Sequence, residues 1–339
     1  MTAPIIDIHG HYTTAPAQLQ AFRTAQLAAL ASGSDASTVA MTPIGDDELR
    51  ASVEDNQLRI LKERGGDVMI FSPKASGMEH HVPDAAVATA WARESNDLVH
   101  RISALYPTTF APVAQLPQTP EGNIDGVVAE IRRTVGELGF VGVNLNPDPS
   151  GTWAGLPVTD PSWFPVYEAL SELDAPAMIH VSTACNPNFH TLGAHYLNAD
   201  VSVFVQLLQS DLFERFPDLR LLIPHGGGAV PYHWGRFRGL AMRNDWQDPA
   251  DLWRNVFFDT AVYHQPGIDL LLDVVPKENV LFASEMLGAV RGADPATGIE
   301  WDNTLRYLET AKLTDEERAK VMTENALKVY PRLAARLGR

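Results

Sequence analysis

The chain carries a single cysteine, Cys185, so no disulfide can form within it. No apolar run is long enough to span a bilayer, and no basic-then-apolar leader pattern appears, so a cytoplasmic location is expected. Basic residues are scarce: 26 Lys and Arg stand against 42 Asp and Glu, giving a formal net charge of −16. Such a surface repels phosphate backbones and anionic lipid heads, which argues against nucleic acid or membrane as partners. An anionic small molecule would need cationic side chains gathered locally. There is also no G-x-G-x-x-G after the first apolar segment, no G-x-S-x-G elbow, no internal repeat and no low-complexity linker.

What is present is ordinary globular material, 45% hydrophobic and 20% charged over 339 residues, enough for a sizeable core. Eight short apolar runs recur: Ile5–Ile8, Val68–Phe71, Phe110–Val113, Phe140–Leu145, Ala177–Val181, Leu219–Ile223, Val256–Phe258 and Val280–Ala283. Between them lie stretches with helical spacing, such as Leu49, Val53, Ile60 and Leu61, or Ala169, Leu170 and Leu173 behind the start signal Asp160-Pro161. Alternation of this kind implies parallel strands joined by helical crossovers, and strands so uniformly apolar are covered on both faces.

Eight such units predict an α/β fold, a (β/α)8 barrel of the TIM type, as one domain over residues 1–339 with closing helices in Leu305–Leu337. An open doubly wound sheet is the alternative, and the missing dinucleotide fingerprint counts against it. The longest connections, Asn146–Pro161, Thr183–Asp200 and Leu287–Asp302, all follow a strand's C-terminal end. In a barrel that face carries the active site.

The sharpest local signal is Asp7-Ile8-His9-Gly10-His11. Residues i and i+2 of a strand share a face, so His9 and His11 can offer two imidazole nitrogens to one ion. His180 ends the fifth apolar run, His225 the sixth and Glu285 the eighth. Five such groups at one end of separate strands are hard to explain as scaffolding, because burying polar groups without partners is costly. The glycines at Gly226–Gly228 let the backbone turn tightly after His225.

With the H-x-H start, the strand-end histidines and the acid after strand eight, the chain resembles the amidohydrolase superfamily over nearly its whole length. His225-Gly-Gly-Gly-Ala-Val-Pro-Tyr-His-Trp-Gly-Arg236 resembles its aminocarboxymuconate semialdehyde decarboxylase branch. The resemblance implies His9, His11 and His180 as metal ligands, Glu285 as fourth ligand or base, and His225 as an acid/base. The fourth strand carries Asn144 and Asn146 where binuclear members have a bridging lysine, so one divalent ion is expected, and the His-rich set points to zinc.

Decarboxylases and hydrolases of this group usually have aspartate at Glu285. Ile6–Thr13 and Ala283–Val290 resemble instead the 4-oxalomesaconate hydratase family. That resemblance implies metal-dependent addition of water to the enone of an unsaturated keto-tricarboxylate in gallate and protocatechuate degradation, with Glu285 taking a proton from water and His225 donating one.

Carboxylates on such a substrate need cations, and Lys74, Arg236 and Arg291 all follow candidate strands. Arg236 by resemblance reaches a neighbouring subunit's site, implying a homodimer. Asn186, Asn188, His190 and His195 in the loop after strand five, and Tyr12 and Ser72 near the rim, are further pocket candidates. The other readings are a metal-dependent decarboxylase, a lactone or amide hydrolase, and a non-catalytic barrel retaining a structural metal.

Overall fold

The computed structural model describes residues 3–189 and 194–339. Eight parallel strands follow one another in chain order, each paired with the next: β1 Ile6–Tyr12, β2 Val68–Pro73, β3 Phe110–Gln115, β4 Gly142–Leu145, β5 Ala177–Ile179, β6 Leu221–Ile223, β7 Val256–Asp259 and β8 Val280–Leu281. The ends of the ring meet where Ile8 N–H donates to Phe282 O and Glu285 N–H donates to His9 O, both at 3.0 Å. Asp7 reinforces this seam by accepting from Ser284 N–H at 3.0 Å and from the Ser284 hydroxyl. The expected barrel is thus what the chain forms.

Each crossover contains a helix: α1 Ala17–Ala31, α2 Ala85–Leu105, α3 Ile124–Ile131, α4 Phe164–Glu172, α5 Ala194–Leu208, α6 Trp234–Asn244 and α7 Gln265–Val274. The starts follow local chemistry. Asp84 caps α2 by accepting from Val87 N–H at 2.9 Å, satisfying one of the donors a helix leaves open.

Strand side chains alternate between two apolar layers. Met69, Phe71, Val143, Leu145, Ala177, Ile179 and Phe258 pack outward under the helices. Ile6, Ile8, Val68, Ile70, Val141, Met178 and Leu281 fill the interior. Helices Asn325–Val329 and Pro331–Arg336 supply Val329 and Leu333 to that inner layer, and Tyr330 between them joins it, so the C-terminal segment closes the barrel interior. With its interior filled, the polar strand-end residues gather at the mouth. Among the described residues, no helix is long and apolar enough to cross a membrane.

Candidate active site

β1 runs longer than its apolar run suggests and includes His9 and His11, with a break in its register against β2 between Asp7 and Gly10. Gly10 is required there, since a Cβ would meet the Met69 side chain at 2.6 Å from Cγ. The two imidazoles project into the barrel mouth beside His180, which directly follows β5. His11 Nε2 lies 3.1 Å from His9 Nε2 and 3.0 Å from His180 Nε2. A carboxylate oxygen of Glu285 completes the group, and the four ligand atoms all lie within 4.8 Å of one another.

The far nitrogens settle the tautomers. His180 Nδ1 is 3.0 Å from the Val181 carbonyl and His9 Nδ1 is 2.8 Å from Asp259 Oδ2, so both Nδ1 atoms carry the proton. His11 Nδ1 lies 2.8 Å from Ser72 Oγ, whose own hydrogen has the Gly10 and Pro73 carbonyls to donate to. Three Nε2 lone pairs therefore point at one another, a repulsive arrangement that a cation between them relieves. Burial, joined by neighbouring imidazoles, lowers His180 to about 3 and His11 well below its ordinary value. Both stay neutral, as metal ligands must. The residues present fit a single divalent ion.

Across the mouth the chemistry changes. His225 Nδ1 is 3.0 Å from Asp200 Oδ2 on α5, and its buried Nε2 has no hydrogen-bond partner among the described residues, 3.7 Å from Glu285 Oε2. Burial works against charging His225, but the Asp200 and Glu285 carboxylates outweigh it and hold the imidazole well above its usual range. Burial raises Asp200 to about 6, against the pull of His225, so the proton the two groups share rests on the imidazole that two carboxylates face. Burial also opposes Glu285 ionisation, yet the charged His225 facing it keeps its carboxyl well below the usual range. Tyr263 O–H donates to Glu285 Oε2 at 3.1 Å, and the Tyr196 ring stacks on His225 with centroids 5.6 Å apart.

The backbone is strained at both of these residues, as it is at six other non-glycine positions among the described residues. His225 and Glu285 have φ of 53° and 50°, in the left-handed region that costs a residue with a Cβ about 1–3 kcal/mol. The turn after His225 continues through Gly226, Gly227 and Gly228, all with positive φ. Cβ atoms there would strike Val262, Phe258 and the Leu197 carbonyl, so the glycines serve a tight turn, as expected.

Above the cluster lies a cavity of about 260 Å³ walled by His11, His180, Glu285, Tyr196, Lys74 and Arg291. Lys74 and Arg291 thus reach it as expected. Four candidates do not. Tyr12 follows His11 on the opposite face of β1, packs on Phe71 and bonds the Ser52 hydroxyl at 2.6 Å. Asn186 turns back to accept from Asn188 N–H at 2.9 Å, capping its own loop. His195 is buried on α5 beside Phe189. Arg236 is exposed on α6, away from the cavity lining. Ser72 acts through His11 rather than lining the cavity, Asn188 is exposed, and His190 lies outside the described residues.

Sequence reasoning missed Asp259, Asp200, Tyr196 and Tyr263. Asp259 ends β7 and was legible by the strand-end rule applied elsewhere. Tyr196 and Asp200 sit one turn apart on a helix that begins inside the stretch read as loop. Tyr263 had no local signal.

With the geometry in place, comparison with known proteins is informative. Residues 6–332 match the amidohydrolase family model. The chain is 53% identical over 335 residues to the 2-keto-4-carboxy-3-hexenedioate hydratase of Sphingobium sp., covering 98% of each. The crystal structure of 4-oxalomesaconate hydratase from Rhodopseudomonas palustris superposes with a TM-score of 0.90 at 50% identity, again over 98% of each chain. The gamma-resorcylate decarboxylase of Rhodococcus jostii is more distant, 28% identical over 315 residues, 84% of this chain and 90% of that one. Fold, convergent strand-end ligands and whole-length similarity lead to the same place: the chain belongs to the amidohydrolase family.

Proposed function

We propose that the protein is a metal-dependent hydro-lyase that adds water across the enone of 4-oxalomesaconate to give 4-carboxy-4-hydroxy-2-oxoadipate. The observation that carries this reading is the geometry of one mouth: the Glu285 carboxylate gathered with three imidazole nitrogens, and across from it His225, whose buried Nε2 has no hydrogen-bond partner among the described residues and lies 3.7 Å from Glu285 Oε2. Half the residues of two hydratases, over their full lengths, are shared with this chain and support it.

His9, His11 and His180 hold the ion, with Glu285 as fourth ligand, and the nitrogen-rich set favours zinc. When bound, a divalent ion supplies Lewis acidity, orienting water or polarising a carbonyl. Glu285 removes a proton from the water that attacks the carbon β to the ketone, while His225 delivers its Nε2 proton to the α carbon. One C–O and one C–H bond form, the double bond becomes single, and the proton taken up by Glu285 passes to the Nε2 of His225, which Asp200 at Nδ1 keeps basic. Proton transfers of this kind contribute roughly 10²- to 10⁴-fold each. Tyr263 holds the Glu285 carboxylate by donating to Oε2, and Lys74 and Arg291 bind the substrate's carboxylates. We further read the chain as one barrel domain over 1–339. Arg236, exposed on α6, is read as completing the site of a second copy in a homodimer, a role that a fully active monomer on gel filtration would remove.

The test is an ultraviolet assay of zinc-loaded protein with 4-oxalomesaconate, with mass spectrometry and a chelator-treated control. Metal-dependent loss of enone absorbance with gain of the mass of one water is the expected result. Carbon dioxide release from an aromatic acid without enone turnover would move the function to decarboxylation. Glu285→Gln should abolish hydration; if metal is lost as well, Glu285 is chiefly a ligand, and unchanged hydration with metal bound would refute its role as base.

A further inference from the structure

Arg291 walls the active-site cavity from the 287–302 segment that follows β8. It also lines an outer cavity of about 350 Å³, whose walls carry the carboxylates of Glu63, Glu300 and Asp302. One guanidinium therefore stands between two chambers, one beside the ligand cluster and one that offers acidic partners of its own. Which of them it serves depends on how the segment is held.

The segment closes on itself. Ala293 and Glu300 form an antiparallel bridge, and Trp301 N–H donates to Gly292 O at 3.1 Å. Arg291 Nε and Nη2 donate to the Gly288 and Leu287 carbonyls at 3.1 and 2.6 Å, so the guanidinium takes its position from the Leu287–Gly288 backbone. That backbone also abuts Glu285: Gly288 N–H donates to Glu285 O at 3.0 Å, and a Cβ on Gly288 would lie 2.9 Å from Glu285 Cγ. Leu287 has φ of 58°, a left-handed conformation that a bulky side chain keeps only where its surroundings impose it.

Asp302 supplies that constraint. Its Oδ2 accepts from Leu287 N–H at 2.9 Å, its Oδ1 pairs with Arg64 Nη2 at 2.8 Å, and its carbonyl accepts from Arg64 Nη1 at 3.1 Å. The Arg64 and Asp302 side chains are only 14% and 6% exposed, so this pair is unlike the solvated surface pairs that contribute little. Arg64 belongs to the crossover between β1 and β2, and the contact ties that crossover to the segment beyond β8.

We propose that Asp302, held by Arg64, is a positioning residue: it fixes the Leu287 turn and so keeps Arg291 on the substrate side rather than among Glu63 and Glu300 of the outer cavity. The proposal rests on the reading of Arg291 as a partner of a substrate carboxylate.

Amide hydrogen exchange on the zinc-loaded protein tests the constraint without turnover. Asp302→Ala and Arg64→Ala should each speed exchange in 287–301 roughly tenfold, Arg64→Lys should restore part of the protection, and the strands should exchange as in the parent. Steady-state kinetics with 4-oxalomesaconate test the consequence. Arg291→Ala and Asp302→Ala should each raise KM roughly tenfold with kcat changed less, and the double variant should raise it little beyond either single. Arg64→Ala replaces Asp302→Ala in that cycle if the latter does not fold. Unchanged exchange in 287–301, or KM effects that multiply in the double variant, would overturn the proposal. A parent protein that leaves 4-oxalomesaconate unhydrated defeats the hydratase reading alone, and the exchange measurement still decides the role of Asp302.

Discussion

The two sides of the barrel mouth contain the same kind of residue under the same burial and keep it in opposite states. On the β1 and β5 side, each Nδ1 of His9, His11 and His180 has a protein acceptor, which turns Nε2 toward the cluster, and burial suppresses the second proton of His11 and His180. On the β6 and β8 side, His225 is equally enclosed but faces Asp200 and Glu285, and holds a proton. Burial alone would neutralise His11, His180 and His225 alike. The number of carboxylates at each ring decides which become ligands and which becomes an acid.

Removing the charged side should have the largest effect. His225→Asn is expected to lower kcat by roughly 10²- to 10⁴-fold while metal content, measured by plasma emission, stays at the wild-type level. Equal loss of metal would place His225 on the neutral side and erase the contrast. Asp259→Asn acts on the other side. It leaves the His9 Nδ1 contact without its carboxylate and should weaken metal affinity by roughly 10- to 100-fold in a chelator competition, with protein still folded.

The strained turn that aims His225 gives a smaller effect. Gly227 has φ 73° and no room for a Cβ beside Phe258, so Gly227→Ala should cost about 1–3 kcal/mol in denaturant unfolding and lower kcat more than KM. A variant as stable and active as the parent would show that the turn does not position His225.

The smallest effect sharpens the comparison outside the mouth. His80 is buried with no carboxylate partner: Nε2–H donates to Leu116 O, Nδ1 accepts from Asn146, and burial lowers it to about 4. The unfolded chain titrates near 6.5, so it takes up a proton that the folded chain refuses. The stability that this neutral His80 contributes is full above about 6.5 and is lost as pH falls toward 4. His80→Gln should flatten the decline of unfolding free energy between pH 7 and pH 5, and an unchanged slope would remove His80 from the account.

Much of the site was readable from strand ends. His9, His11, His180, His225 and Glu285 each close an apolar run, and parallel strands deliver such residues to one rim. What could not be read were partners distant in the chain. Asp259 is 250 residues from His9, and Asp200 is 25 from His225, inside a stretch whose Pro and Asn content disguised the start of α5. Tyr12 was misplaced because adjacency to His11 puts it on the opposite face of the strand, and Asn186 and His195 because loop membership says nothing about direction.

The sequence by itself determined the barrel, since alternating apolar runs and helical spacings admit few arrangements that bury both, and it determined which side chains reach the mouth, since strand register is local. Only the tertiary structure decided which imidazoles are neutral and which is charged, and that Lys74 and Arg291 rather than Arg236 wall the cavity of a single chain. Those outcomes depend on charges and packing brought together through space, and no local pattern of residues encodes them.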